Sequence, residues 1–200
     1  MSVVIGICGI NFCSLIADGR LVVGDYPNIQ VVHEKVMKVY KINESLLLGG
    51  AGRFRSDEEI TTPLDVFGDK TQITMNAALS AVIDHIERRK TSINATRFYL
   101  IGGKNEHGEF SLFEVQYYAD EQKIRVVERK PMPPTSEYAV SCCFPPKIKE
   151  LYQMYFQKVC SCITSSERHD EVLMKVAKVI AEISHIDESV NSNILTVSVF

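Results

Sequence analysis

The 200-residue sequence contains no long apolar run, no excess of positive charge and no paired-cysteine motif. A membrane helix needs roughly 18 or more consecutive apolar residues, and no stretch approaches that length. The N-terminus also lacks the basic segment and the cleavage site of a secretory signal peptide. We therefore expect a cytoplasmic protein that does not enter a membrane.

The charge balance argues against a nucleic-acid partner. Lysine and arginine total 22, aspartate and glutamate total 25, and the formal net charge is -3. A nucleic-acid-binding protein normally carries a basic stripe. The six cysteines show no Cys-x-x-Cys spacing and the five histidines are scattered, so no zinc site is indicated. We expect reduced thiols and no metal or organic cofactor.

The pattern of apolar residues indicates a globular chain of mixed secondary structure, with 46% apolar and 24% charged residues. A short helix is predicted near Ser56, interrupted by Pro63. Other helices are predicted over residues 73–90, about 147–160 and 172–183, and strands over 2–10, 13–20, 21–25, 36–42, 46–52, 96–103, 109–118, 123–130, 136–143 and 193–200. Strands and helices do not alternate strictly, so a parallel βαβ sheet is not expected. We predict one α+β domain over residues 1–200, with helices covering two antiparallel sheets.

Standard catalytic motifs are absent, which directs attention to the N-terminus. There is no Gly-x-Ser-x-Gly elbow, Walker loop or His-Glu-x-x-His motif, and residues 49–52 (GGAG) are too short for a dinucleotide loop. Removal of Met1 would leave Ser2 with a hydroxyl and a free α-amine on one residue. An α-amine has a pKa of roughly 7.7–8.0 and can act as general base for its own hydroxyl.

Such a site also needs a cation near the amine, a carboxylate that holds the cation, and backbone N–H groups for the oxyanion. Asp18, after two paired strands, is the candidate carboxylate. Lys38 or Lys35 is the candidate cation, and Gly52, at the end of a buried strand, is the candidate oxyanion donor. Simpler roles stay open: a hairpin turn for Asp18 and Gly19, a solvated face for the lysine, and close backbone packing for Gly52.

Together these segments resemble the proteasome β-type subunits and their bacterial relatives, the N-terminal-nucleophile (Ntn) hydrolases. Ser2 takes the place of the nucleophile, and residues 16–20 (IADGR) resemble the family's Ala-Asp-Ser-Arg segment at the same distance from it. Residues 38–52 (KVYKINESLLLGGAG) resemble the family's lysine-led strand, hairpin and glycine turn. Lys35 would need less insertion in the preceding loop but spoils the hairpin alignment, so Lys38 is preferred.

The resemblance implies a four-layer αββα sandwich of two antiparallel sheets and a hydrolase of peptide or amide bonds that needs no cofactor. It implies Ser2 as nucleophile and base, Asp18 and Lys38 as the charge pair, and Gly52 as an oxyanion donor. It further implies a homo-oligomer, such as a ring, whose partners are its own copies and a peptide or small amide substrate.

The residues expected to support the amine depart from the family pattern. The family has Gly-Ser-Gly where this chain has residues 141–143 (SCC), which makes Cys142 the matching position, with core packing as its alternative role. Farther on, the family has an aspartate before Ser-Gly-Gly, and this chain offers Asp187 or Glu188 with Asn191 or Ser192. These departures motivate a second hypothesis, a non-catalytic proteasome-like assembly subunit. A third is an amidase that acts on a small molecule.

Overall fold

The computed structural model describes residues 2–23, 28–52, 54, 58–93, 95–133, 136–144, 150–163 and 168–200. Met1, Gly24, the predicted helix start at Ser56 and residues 147–149 of a predicted helix lie outside the described residues. The described chain combines helices with antiparallel sheets, so the predicted α+β class is confirmed. No helix within these ranges has the length and apolar character needed to span a bilayer.

The helices and strands follow the predicted order with one addition, a strand at Gln30–His33. The helices are α1 (Glu58–Thr61), α2 (Met75–Arg89), α3 (Tyr152–Ser161) and α4 (His169–Ser184), and 3-10 turns lie at Thr62–Val66 and Lys70–Gln72. The strands are β1 (Val4–Gly9), β2 (Cys13–Asp18), β3 (Leu21–Val23), β4 (Gln30–His33), β5 (Val39–Asn43), β6 (Leu46–Gly52), β7 (Arg97–Lys104), β8 (Phe110–Tyr118), β9 (Lys123–Arg129), β10 (Tyr138–Cys143) and β11 (Ile194–Val199).

Within the described ranges, the strands form three antiparallel sheets. One sheet has the order β10-β1-β2-β11, a second has the order β5-β6-β7-β8-β9, and β3 pairs with β4 in a two-stranded ribbon. β4 is exposed along its whole length, so it lacks the alternation of apolar and polar residues by which a half-buried strand is recognised in a sequence.

The segment before β5 differs from the prediction of a strand over residues 36–42. The strand begins only at Val39, although Lys38 still bonds to β6, the partner strand of β5, and Val36 bonds to the segment after β2. The Val36 N–H donates to the Gly19 carbonyl at 2.8 Å, and the Lys38 carbonyl accepts from the Gly50 N–H at 2.9 Å. Lys38 therefore lies at the junction of the two large sheets.

The two large sheets pack face to face through a fully buried apolar cluster. Val4 and Leu15 from one sheet meet Leu47 and Leu100 from the other. Gly6 allows this close approach, because a Cβ added there would lie 3.1 Å from a methyl group of Leu112 and 3.2 Å from one of Leu100.

Helices cover the opposite face of each sheet. α2 packs Val82 and Ile86 against the five-stranded sheet, in a cluster that includes Tyr99. α4 packs Val176 and Ile180 against the four-stranded sheet, in a separate cluster with strand residues and α3. Successive side chains of β1 point to opposite faces of the sheet: Val4 faces the other sheet and Ile5 faces the helices.

Candidate active site

Strand pairing between β1 and β2 places Ser2 beside Asp18. In the hairpin, Val4 lies opposite Ala17, and one residue further Val3 and Asp18 bond to each other. The Val3 N–H donates to Asp18 Oδ1 at 2.8 Å, and the Asp18 N–H donates to the Val3 carbonyl at 3.3 Å. The residue that follows Ser2 is therefore clamped to the end of β2.

Asp18 is fully buried and its carboxylate accepts three hydrogen bonds. Beside the bond from Val3, its Oδ2 accepts from Lys38 Nζ at 2.9 Å and from the Arg20 N–H at 3.0 Å. The Asp18 and Lys38 side chains are 0% and 4% exposed. A buried charge is costly unless it is paired and hydrogen-bonded. Each of the two side chains therefore needs the other to remain charged in the core.

Lys38 is the candidate lysine that lies beside Asp18, whereas Lys35 is exposed. Lys38 Nζ also donates to the Arg20 carbonyl at 2.5 Å. An ammonium has three N–H donors, and these two bonds leave one that no hydrogen bond between described residues uses. Burial lowers the pKa of Lys38 below its usual 10.5, and the Asp18 carboxylate offsets part of that shift.

One small cavity joins Ser2 to the other candidate residues. Ser2, Lys38, Gly50 and Gly52 all line it, and its volume of about 20 Å3 is room for about one water molecule. Ser2 itself is 8% exposed. The remaining walls are apolar side chains, namely Leu21, Val36, Phe54 and Ile60.

Gly52 ends β6 in a backbone conformation that favours glycine. Its φ is +117°, and an added Cβ would lie 2.6 Å from the Thr96 carbonyl oxygen. Both features exclude an ordinary side chain at this position. Glycine therefore allows β6 to turn at the edge of the cavity that Ser2 lines.

Cys142 does not line the cavity of Ser2. It pairs with Ile5 across β10 and β1 and is buried in the cluster on the helix side of the four-stranded sheet, where Tyr155 is a neighbour. Its location matches its alternative role in core packing. No hydrogen bond between described residues joins Cys142 to Ser2, so the predicted support of the Ser2 amine by Cys142 stays a prediction.

Asp187 and Asn191 lie in the segment after α4, and both are buried. Asp187 Oδ1 accepts from the Ser189 N–H at 2.9 Å and from its hydroxyl at 2.6 Å. Asn191 Oδ1 accepts from the Gly19 N–H at 3.0 Å, and its amide nitrogen donates to the carbonyl and the carboxylate of Glu34 at 2.8 Å and 2.6 Å. Asn191 thus braces the turn that follows Asp18.

We expect Asn191→Ala to lower the free energy of unfolding by about 1–3 kcal/mol, because it leaves the buried Gly19 N–H without an acceptor. Asn193→Ala is the matched control, since Asn193 also donates to the Glu34 carbonyl, at 2.8 Å, but from an exposed position. Urea denaturation of both variants measures the difference. Equal losses would contradict a bracing role specific to Asn191.

Several residues of the site were not predicted from the sequence. Phe54 and Ile60 wall the cavity, and Arg20 contributes a carbonyl oxygen to Lys38. The contact of Ser189 with Asp187 could have been predicted, because a serine two residues after an aspartate is typical of a turn in which the carboxylate accepts a hydrogen bond from that serine. Among the residues that the structure describes, no group of three or more His, Cys, Asp or Glu side chains is arranged to hold a metal ion.

No protein-family model matches this chain, and no curated protein matches its sequence.

Proposed function

We propose that the chain is an N-terminal-nucleophile hydrolase of peptide or amide bonds, with Ser2 as nucleophile after removal of Met1. The observation that carries the proposal is the buried Lys38–Asp18 ion pair, whose lysine lines the same cavity as Ser2 and Gly52. A buried lysine and carboxylate at the end of a hairpin need a reason, because two desolvated charges seldom stabilise a fold more than apolar residues would.

In the proposed acylation step, the Ser2 α-amine takes the hydroxyl proton as Oγ attacks the substrate carbonyl. A positive charge on Lys38 disfavours a second positive charge on the amine, so the amine stays neutral and basic. The backbone N–H of Gly52 donates to the oxyanion of the tetrahedral intermediate. The intermediate then releases the substrate amine, which takes the proton back from the ammonium, and an ester on Ser2 remains.

A water molecule then hydrolyses the ester on Ser2. The α-amine takes a proton from the water as its oxygen attacks the ester carbonyl, and the second intermediate expels Ser2 Oγ, which recovers that proton. A carboxylic acid leaves and Ser2 is regenerated. Every proton in this cycle moves through groups of Ser2 itself, and Asp18 serves to hold Lys38.

The proposal extends to architecture and assembly. We infer a four-layer αββα sandwich, supported by the apolar cluster between the sheets and by the separate helix clusters on their outer faces. From the resemblance to proteasome β-type subunits we also propose a cytoplasmic homo-oligomer. Light scattering of the purified chain tests the assembly.

The direct test of the chemistry is the mass of the purified protein and of its N-terminal peptide, before and after treatment with an electrophilic peptide such as a vinyl sulfone. We expect the loss of Met1 and one adduct on the Ser2 peptide. Retention of Met1 in a preparation that hydrolyses peptides would contradict the proposal. So would a processed chain that neither cleaves peptides nor forms the adduct.

In Gly52→Ala, alanine keeps the backbone N–H, but its Cβ would lie 2.6 Å from the Thr96 carbonyl oxygen, so the backbone of residue 52 must shift and carry the N–H away from the oxyanion. We expect Gly52→Ala to lower hydrolysis by about 10²-fold, since losing one oxyanion donor outright typically costs about 10²–10³-fold. It should also lower the free energy of unfolding by about 1–3 kcal/mol, because alanine is strained at a φ of +117°. Gly108→Ala is the matched control, since Gly108 has a φ of +80° but no atom within 4 Å of an added Cβ. Equal activity of the two variants would contradict the oxyanion role.

The second candidate function is a non-catalytic assembly subunit, favoured by the location of two supporting residues. Cys142 packs on the helix side of its sheet, and Asn191 is engaged by Gly19 and Glu34. This candidate predicts a large stable particle, no adduct at Ser2 and no phenotype for Ser2→Ala. The labelling experiment therefore separates the two functions.

A further inference from the structure

A second cavity, which we call the arginine cleft, lies between the two large sheets near Ser2. Its volume is about 480 Å3, within the range of about 300–1,000 Å3 that is typical of ligand pockets. Arg97 lines the cleft and pairs with Gly52, while Cys143 lines it from the other sheet and pairs with Val4. The cleft therefore begins one strand away from β6, which ends at Gly52, and from β1, which begins two residues after Ser2.

The floor of the arginine cleft is a row of hydrogen-bonded side chains on one face of β8. Glu114, which is 4% exposed, accepts from Arg129 Nε on one carboxylate oxygen and from the Gln116 amide at 3.2 Å on the other. The Gln116 carbonyl in turn accepts from the Tyr118 hydroxyl. These bonds neutralise Glu114 and occupy Arg129.

Three arginines line the cleft: Arg129 pairs with Glu114, Arg97 pairs with Glu59 at 2.7 Å, and Arg125 is the third. It lies opposite Gln116 on β9, and its side chain is exposed. No ion pair joins Arg125 to any carboxylate among the residues that the structure describes. A guanidinium binds a carboxylate through two parallel hydrogen bonds, which makes it a selective partner for that group.

We propose that the arginine cleft binds an acidic side chain of the peptide substrate, through Arg125, at a distance of about four residues from the bond that is cleaved. The inference rests on the proposed peptidase function. Arg125 lies in one row with Gln116, Phe98 and Ala51, three strands from the neighbour of Gly52. Three strand spacings are about 14 Å, and an extended peptide covers about 3.3 Å per residue.

Binding can be tested without catalysis by using the Ser2→Ala chain. The probes are two capped nonapeptides of alanine, serine and threonine, which differ only in a central glutamate or glutamine. We expect calorimetry to show about tenfold tighter binding of the glutamate peptide, the usual effect of a hydrogen-bonded charge pair. Adding Arg125→Gln should abolish this preference.

Lys123→Gln is the matched control, because Lys123 lies on the same strand, is 73% exposed and pairs with Glu121 instead of lining the cleft. It should keep the preference for glutamate although it removes the same charge. Equal binding of the two peptides, or equal loss in both variants, would overturn the inference.

Cleavage by the unmodified chain gives the second readout. Mass spectrometry of the glutamate peptide should show cuts about four residues from the glutamate, and Arg125→Gln should disperse them. Cuts without any relation to the glutamate would also overturn the inference. If no peptide is cut while the glutamate preference persists in binding, the proposed hydrolase fails and the arginine cleft stands as a carboxylate site.

Discussion

Replacement of Ser2 by alanine is expected to abolish peptide hydrolysis and labelling by an electrophilic peptide, while the chain stays folded. Removing a catalytic nucleophile typically lowers turnover by far more than a thousandfold. Alanine is as small as serine at the second position, so Met1 should be removed from this variant too. The α-amine, Lys38 and Asp18 then remain in place, and the variant isolates the contribution of the hydroxyl group.

Ser2→Thr is the matched control, because it keeps both the hydroxyl and the free amine. We expect it to retain labelling and measurable hydrolysis. Urea denaturation should show that both variants unfold within about 1 kcal/mol of the unmodified chain, since neither introduces a charge or a large cavity. Labelling that survives Ser2→Ala would place the reactive group elsewhere and contradict the proposed mechanism.

The neighbourhood of Ser2 and Asp18 could be anticipated because it follows from local rules. Two short apolar strands joined by residues 10–12 form a hairpin, and its register sets the last residue of β2 against the first residues of the chain. Gly52 was reached as the glycine that ends a buried apolar strand, whereas its φ of +117° was not predicted from the sequence. Contacts of this kind depend on sequence patterns within a few residues.

The choice between Lys35 and Lys38 could not be settled in this way. The segment before β5 contains the unpredicted strand β4, and the direction in which it re-enters the core depends on the bond from Val36 to the Gly19 carbonyl. That bond lies outside any hairpin, so no strand register read from the sequence fixes it. A shift of one residue in such a segment exchanges buried and exposed side chains.

Cys142 and Asn191 illustrate the same limit. Adjacent residues of a strand face opposite sides of the sheet, so a sequence with cysteines at both 142 and 143 does not show which one faces the helices and which one the other sheet. Asn191 binds the Gly19 N–H across 172 residues of sequence. Hydrogen bonds over that distance require the packed fold, and no local pattern predicts them.

Substitutions in the buried Lys38–Asp18 ion pair should give the second large effect. Single and double variants together distinguish its contribution to stability from its contribution to catalysis. Lys38→Met keeps an unbranched side chain one atom shorter than lysine, but it leaves the Asp18 carboxylate buried with only the backbone donors of Val3 and Arg20. Breaking a buried pair on one side typically lowers the free energy of unfolding by about 3–5 kcal/mol. Asp18→Asn should be destabilising for the converse reason, because Lys38 loses its carboxylate.

The double variant Lys38→Met, Asp18→Asn should recover much of that stability, since two neutral partners often replace a buried ion pair with little loss. Hydrolysis at pH 7 should nevertheless stay about tenfold below that of the unmodified chain. Without the cation the Ser2 amine returns to its ordinary pKa of roughly 7.7–8.0, so only about a tenth of it is neutral and able to accept the hydroxyl proton. Urea denaturation and the rate of labelling at Ser2 give the two readouts on the same samples. If labelling returned together with stability, Lys38 and Asp18 would serve the fold alone, and the N-terminal amine would have to act without a neighbouring charge.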